Sequence, residues 1–113
     1  MILTLPYPPS NNRYYRNWKG RMLLSGEGRD YRLAVLERRP REGWPLAGPL
    51  RMDIRVHPNR NVSQDLDNIP KAVCDALQHA GIYANDNQIT DLRIVREAKH
   101  PHAHVVVTVE VLA

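Results

Sequence analysis

The chain has 113 residues, 42% hydrophobic and 25% charged, which is room for one domain spanning 1–113 but not for a deep, fully enclosed cofactor pocket. Dispersed hydrophobicity excludes a disordered chain, no apolar run nears the ~20 residues of a membrane span, and a lone cysteine, Cys74, excludes an intrachain disulfide or a Cys-rich zinc site. Net charge is +4, but it is divided: residues 1–60 carry 12 Lys and Arg against 5 Asp and Glu, whereas residues 61–113 carry 4 against 7.

The N-terminal Met-Ile-Leu-Thr-Leu-Pro lacks the basic start and long apolar stretch of a secretory signal, so the expected location is a reducing cytoplasm. Ile2, Leu3 and Leu5 predict a short strand ended by Pro6, Pro8 and Pro9. Residues 10–21 show no helical period and read as an extended loop. Ser25 is placed to cap a helix over 26–39, with Tyr31, Ala34, Val35 and Arg38 at helical spacing, stopped by Pro40 and Gly43. Beyond a Pro/Gly-rich connector, Leu50, Met52, Ile54 and Val56 alternate with Arg51, Asp53, Arg55 and His57, the period of a half-buried strand.

A polar loop, Pro58 to Gln64, precedes Asp67, which is placed to cap a helix over 68–80. Ile69, Ala72, Val73, Ala76, Leu77 and Ala80 form its apolar stripe, and Gly81 ends it. Two strands follow, over 88–97 and 103–112, and the bend at His100-Pro101-His102 predicts that they form a hairpin. The order β-α-β-α-β-β predicts an α+β fold of two layers, a mixed sheet with the helices packed on one face.

Of the 16 cations 13 are arginine, whose planar fork grips phosphate at two points. A polyanionic partner fits, as does a merely solvated basic surface. Asn11, Asn12, Arg13, Tyr14, Tyr15, Arg16, Lys19 and Arg21 interleave cations, amides and rings, the mixture a nucleic-acid surface uses, and Arg60 adds a cation in the later polar loop. The same residues also suit a loop whose rings pack on the core while its arginines face water.

Asp65 and Asp67 stand two residues apart in Asp65-Leu66-Asp67-Asn68-Ile69-Pro70-Lys71; in extended chain they project to one side and can share a cation. Magnesium suits this pair because it takes one or two carboxylates and keeps waters for substrate phosphate oxygens, with Mn²⁺ as a substitute. Lys71 follows Asp67 by one helical turn, which serves either a bound phosphate or an ordinary surface ion pair with a capping Asp67. Asp86, in Asn85-Asp86-Asn87, is a third candidate acid or an Asx-turn residue. Asp75 is expected to extend the ion-pair row from Lys71, Asp91 to decorate a strand, and the 100–104 histidines to be exposed turn residues. A Cys74/His79 nucleophile pair lacks an oxyanion hole and a third orienting group.

Pro8-Pro9-Ser10-Asn11-Asn12-Arg13-Tyr14-Tyr15-Arg16, Asp65-Leu66-Asp67-Asn68 with Lys71 and Asp75-Ala76-Leu77, and Asp86 before Gln88-Ile89 closely resemble, in order, the RusA family of Holliday junction resolvases. The resemblance implies a magnesium-dependent endonuclease, bacterial or prophage-borne, that works as a homodimer on branched DNA and cuts two opposing strands of a four-way junction. It implies that Asp65, Asp67 and Asp86 bind the metal, that Lys71 is the catalytic lysine, and that the N-terminal Asn/Arg/Tyr segment lies near the junction. Family members often carry a basic residue where this chain has Gln64 and an acid where it has Asn85, and Pro70 sits in the first turn of the helix. The alternative is a junction-binding module without catalysis, which would keep the basic segment and not depend on the acids.

Overall fold

The computed structural model describes residues 1–112; Ala113, the end of the expected domain, lies outside them. The chain runs β1 (Ile2–Pro6), α1 (Asn11–Tyr14), β2 (Tyr15–Trp18), β3 (Arg21–Leu24), α2 (Gly26–Glu37), β4 (Leu50–His57), α3 (Pro70–His79), β5 (Ile89–Arg96) and β6 (His104–Val111). Single 3₁₀ turns lie at Leu66–Asn68 and Asp86–Gln88.

The strictest alternation in the chain builds the centre of the main sheet. Leu50, Met52, Ile54 and Val56 are fully buried, while the opposite face of β4 carries Arg55, held by Asp53 and Glu97, and Arg51, held by Asp91. The sheet order is β1-β6-β4-β5, with β4 and β5 parallel and the other pairs antiparallel. Val105, Val107 and Val109 of β6 and Leu3 and Leu5 of β1 extend the same buried face, on which α2 and α3 pack. The α+β fold with a mixed sheet is therefore as expected.

The expected hairpin between the last two strands does not form. β5 and β6 lie on opposite sides of β4, because the strand that buries every second residue takes the central position and needs a partner on each edge. The segment joining them crosses the end of β4, where the Glu97 amide donates to the Val56 carbonyl at 2.8 Å.

The segment read as an extended loop also differs. Ser10 opens a single helical turn, its carbonyl accepting from the amides of Arg13 and Tyr14 at 2.9 and 2.8 Å. The chain then forms the β2–β3 hairpin, closed by Lys19-Gly20 with φ of 49° and 76°. Positive φ at both central residues is the geometry of a type I′ turn, whose twist matches the strands. No helical or core-facing period marks this hairpin because it stands off the main sheet, with Trp18 and Met22 exposed.

Ser25 caps α2 as expected, its Oγ accepting from the Gly28 amide at 2.9 Å. α3 departs from expectation at its start. Pro70 occupies the first turn and Ile69 the cap position, so Asp67 lies back inside the 3₁₀ turn and is not a cap. Among the described residues no helix is long and apolar enough to cross a membrane.

Candidate active site

Three elements converge on the site, and one polar node ties them. Asp75, halfway along α3, accepts from the Tyr14 hydroxyl and from Arg32 of α2, whose Nη2 and Nε lie 2.8 and 3.0 Å from the same carboxylate oxygen. Burial, then this hydrogen bond, drives the Tyr14 hydroxyl well above its ordinary pKa, so it stays a donor. Asp75 therefore does not extend an ion-pair row from Lys71: α2 and α1 take it first. The node fixes α1, and with it Asn11, against the N-terminal half of α3.

That juxtaposition leaves a cleft of about 440 Å³ between α1, α3 and the start of β5, lined by Asn11, Asp67, Lys71, Cys74 and Asp86 among others. A neighbouring hollow of about 430 Å³ shares Asn11 and Lys71 and continues to Asn12, Tyr15 and Met22. Three of the four expected catalytic residues, Asp67, Lys71 and Asp86, thus face one space. Asp65 does not line it. Asp65 is extended and precedes the 3₁₀ turn of Leu66–Asn68, whereas Asp67 lies inside that turn, so the two do not share one extended stretch and lose the common side it would give. The Asp65 carboxylate is exposed two residues upstream.

Neither ordinary structural role of these acids is filled. Among the described residues Asp65, Asp67, Lys71 and Asp86 form no ion pair, so the surface pair expected between Asp67 and Lys71 is absent. The Asx role in Asn85-Asp86-Asn87 belongs to Asn85. Its side chain accepts from the Asn87 amide at 2.9 Å, while the Gln88 side chain accepts from the Asn85 amide at 3.1 Å. Asp86 is positioned through its backbone, donating to Gln78 Oε1 of α3 at 2.8 Å, and its carboxylate is left for the cleft.

The donor set suits a hard divalent cation. Asp67 and Asp86 supply two carboxylates to one open cleft, and Asn11 supplies a buried amide oxygen, Oδ1, without a hydrogen-bond partner. Among the described residues no group of three or more His, Cys, Asp or Glu side chains is placed to hold a metal ion. Cys74 is no nucleophile: burial, with Asp86 next, pushes its thiol up to about 12.

The model of the family described as endodeoxyribonuclease RusA matches residues 6–110 of this chain. The chain belongs to the RusA family. Relatives named crossover junction endodeoxyribonuclease RusA occur in Escherichia coli, Shigella sonnei and Enterobacteria phage 82. Each is 43% identical over 96 residues, covering 83% of this chain and 80% of the relative.

Within this RusA chain the segment expected to meet DNA divides by exposure. Tyr14 is fully buried, its ring edge-on to Tyr15 and Tyr31, so it supports the surface rather than offering a face to a base. Arg13 is held by Glu27 at 3.1 Å. Asn12 and half-buried Tyr15 line the hollow beside Lys71, and Arg16, Lys19 and Arg21 stand exposed on the β2–β3 hairpin, Lys19 over the Trp18 ring at 4.6 Å. Arg60 lies apart, in a cleft at the far end of β4.

Sequence reasoning missed Arg32 and Gln78 as the residues that hold Asp75 and Asp86 in place. Gln64 is also a brace: its side chain donates to the Pro8 carbonyl at 2.8 Å and its amide to the Tyr7 hydroxyl at 3.1 Å. No local pattern marks such long-range contacts.

Proposed function

We propose that this chain is a divalent-metal-dependent endonuclease that resolves four-way DNA junctions by paired, symmetric strand cuts in the bacterial cytoplasm. The observation that carries this reading is the cleft in which Asp67, Lys71 and Asp86 face one another without ion-pair partners. An uncompensated set of two acids and one base on an open surface costs stability and is kept where charge is needed for chemistry.

Asp67 and Asp86 would hold a Mg²⁺, or Mn²⁺ in its place, Asn11 could add its amide oxygen from the same cleft, and Asp65 would add negative charge upstream. When bound, the ion supplies an activated water and neutralises charge at the leaving 3′-oxygen. Lys71 reaches the scissile phosphate from the next turn of α3, and its ammonium takes up the charge that builds on the non-bridging oxygens. The products carry 5′-phosphate and 3′-hydroxyl ends. Asn12, Tyr15 and the Arg16, Lys19 and Arg21 hairpin continue the cleft into a basic surface that holds the adjoining strand. One chain supplies one cleft, and symmetric cuts in opposing strands need two related by a two-fold axis, which a homodimer provides.

The test compares a synthetic four-way junction with a linear duplex of the same arm sequence, in Mg²⁺ and in EDTA. Expected is cutting of the junction at paired positions, only with the metal, and an uncut linear duplex. Equal cutting of both substrates, or cutting in EDTA, overturns the reading; tight binding without any cutting selects the non-catalytic module instead.

A further inference from the structure

A cleft of about 540 Å³ lies at the end of the sheet where β4 finishes and β6 begins. It is lined by Asn59, Arg60, Asn61, Lys99, His100 and Pro101, a set without a carboxylate. Its two walls are the loop that leaves β4 and the loop that joins β5 to β6, and they are fastened together. The His100 amide donates to the Pro58 carbonyl at 2.8 Å, and His57 Nδ1 meets the Ala98 carbonyl at 3.2 Å. Within the first loop the Asn59 side-chain oxygen accepts from the amides of Asn61 and Val62 at 2.8 and 2.6 Å, which leaves its NH₂ group as a donor. Arg96 pins the same loop further on, through Ser63 and Gln64 at 2.9 and 2.8 Å.

On the open face of the sheet Arg51 and Arg55 of β4 are matched with acids, while Arg93 of β5 forms no ion pair among the described residues. In this cleft Arg60 and Lys99 form no ion pair among the described residues. Behind them the His57 ring stacks on His104 with centroids 4.6 Å apart, and His100 stands edge-on to His104 at 4.8 Å. His100 Nδ1 lies 3.0 Å from both the amide and the carbonyl of His102, which fixes the ring on the loop. A guanidinium fork, an ammonium and carboxamide donors in a fixed, acid-free groove are the equipment for a phosphodiester anion.

We propose that this cleft is a second phosphate seat, which holds the backbone of a duplex arm away from the bond that is cut. The inference rests on the reading of the protein as a DNA nuclease. Arg60 is seven residues before Asp67 of the catalytic cleft, at most about 24 Å of extended chain, or about seven base-pair steps at about 3.4 Å each. One arm entering the catalytic cleft therefore reaches both. Contacts of this kind read no sequence; they fix the register and direction of the arm.

The experiment measures affinity for a labelled four-way junction by fluorescence anisotropy, in EDTA and over a range of salt. The variants are Arg60→Gln with Lys99→Gln and, as a charge-matched control, Arg38→Gln with Arg41→Gln. The cleft variant is expected to bind about tenfold more weakly at moderate salt and to lower the slope of log affinity against log salt by about two. The control is expected to stay within about twofold of the parent. Equal affinity and slope for parent and cleft variant overturn the inference, as do equal losses in both variants, which mean that net charge alone acts. A parent that fails to bind the junction at all overturns the nuclease reading beneath it.

Discussion

The Tyr14 hydroxyl donates to the Asp75 carboxylate across 61 residues of chain, and this bond joins the turn that carries Asn11 to the helix that carries Lys71. Arg32 completes the node from α2. Loss of the hydroxyl in Tyr14→Phe is expected to cost about 1–2 kcal/mol, the range for a hydrogen bond to a charged partner reduced for partial exposure. Asp75→Ala leaves Arg32 without its acid and is expected to cost more than Tyr14→Phe. Urea denaturation of the two variants measures both; a smaller loss in Asp75→Ala contradicts the node.

Gly28 lies in α2 where the helix meets the Tyr14 carbonyl and Leu24. A Cβ built there would touch the carbonyl oxygen and come within 2.7 Å of Leu24 Cδ1. Gly→Ala in a helix ordinarily stabilises by up to ~1 kcal/mol. Here the backbone contact reverses the sign, and Gly28→Ala is expected to destabilise by about 2–3 kcal/mol, a fall of roughly 10 °C in Tm. An unchanged or raised Tm contradicts that packing.

Alkaline pH is expected to weaken the fold. The Cys74 thiol, near 8.5 in an unfolded chain, is pushed up to about 12 by burial and then by Asp86. Its contribution is fully present below pH ~8.5 and is lost as pH rises toward 12, because only the unfolded chain releases the proton in that window. Tyr14, Tyr31 and Tyr83 are shifted upward too, chiefly by burial, and add to the loss above pH ~10. Urea midpoints should fall from pH 8 to 10.5, with a shallower fall in Cys74→Ala. A flat profile, or rapid alkylation of folded protein at pH 8, would be the opposite result.

Lys71 is exposed and unpaired among the described residues, so Lys71→Ala is expected to keep Tm within about 2 °C. Junction cutting should fall by about 10²-fold or more, because one charge aimed at the scissile phosphate is lost, while junction affinity changes by less than about fivefold. Cutting rates compared at saturating protein separate the two effects. A large loss of binding with cutting unchanged when saturated assigns Lys71 to holding DNA instead.

Where burial and period coincide, the chain is readable from residues alone. The alternation from Leu50 to His57, the stripe from Ile69 to Ala80 and the Ser25 cap all reappear as written. The β2–β3 hairpin was hidden because its strands face little core and its turn is Lys19-Gly20 rather than Asn-Gly. Strand partners were hidden as well: a bend at Pro101 marks a change of direction, not which neighbour the next strand finds. Asp67, Lys71 and Asp86 could be named from sequence, yet not that Asp65 stands outside their cleft, because this depends on a 3₁₀ turn that Pro70 enforces by starting α3 late. Pro70 was the available signal, since proline favours the first helical position.

Asp86 offers the most direct trial of the central claim, because its backbone, not its carboxylate, is held by Gln78 and the Asn85 cap. The measurement is the single-turnover rate of four-way junction cutting by Asp86→Asn and by the parent chain at saturating Mg²⁺. A rate reduced by about 10²-fold or more, with junction affinity and Tm retained, is the result expected if the cleft cuts DNA. Equal rates for the two proteins would contradict it.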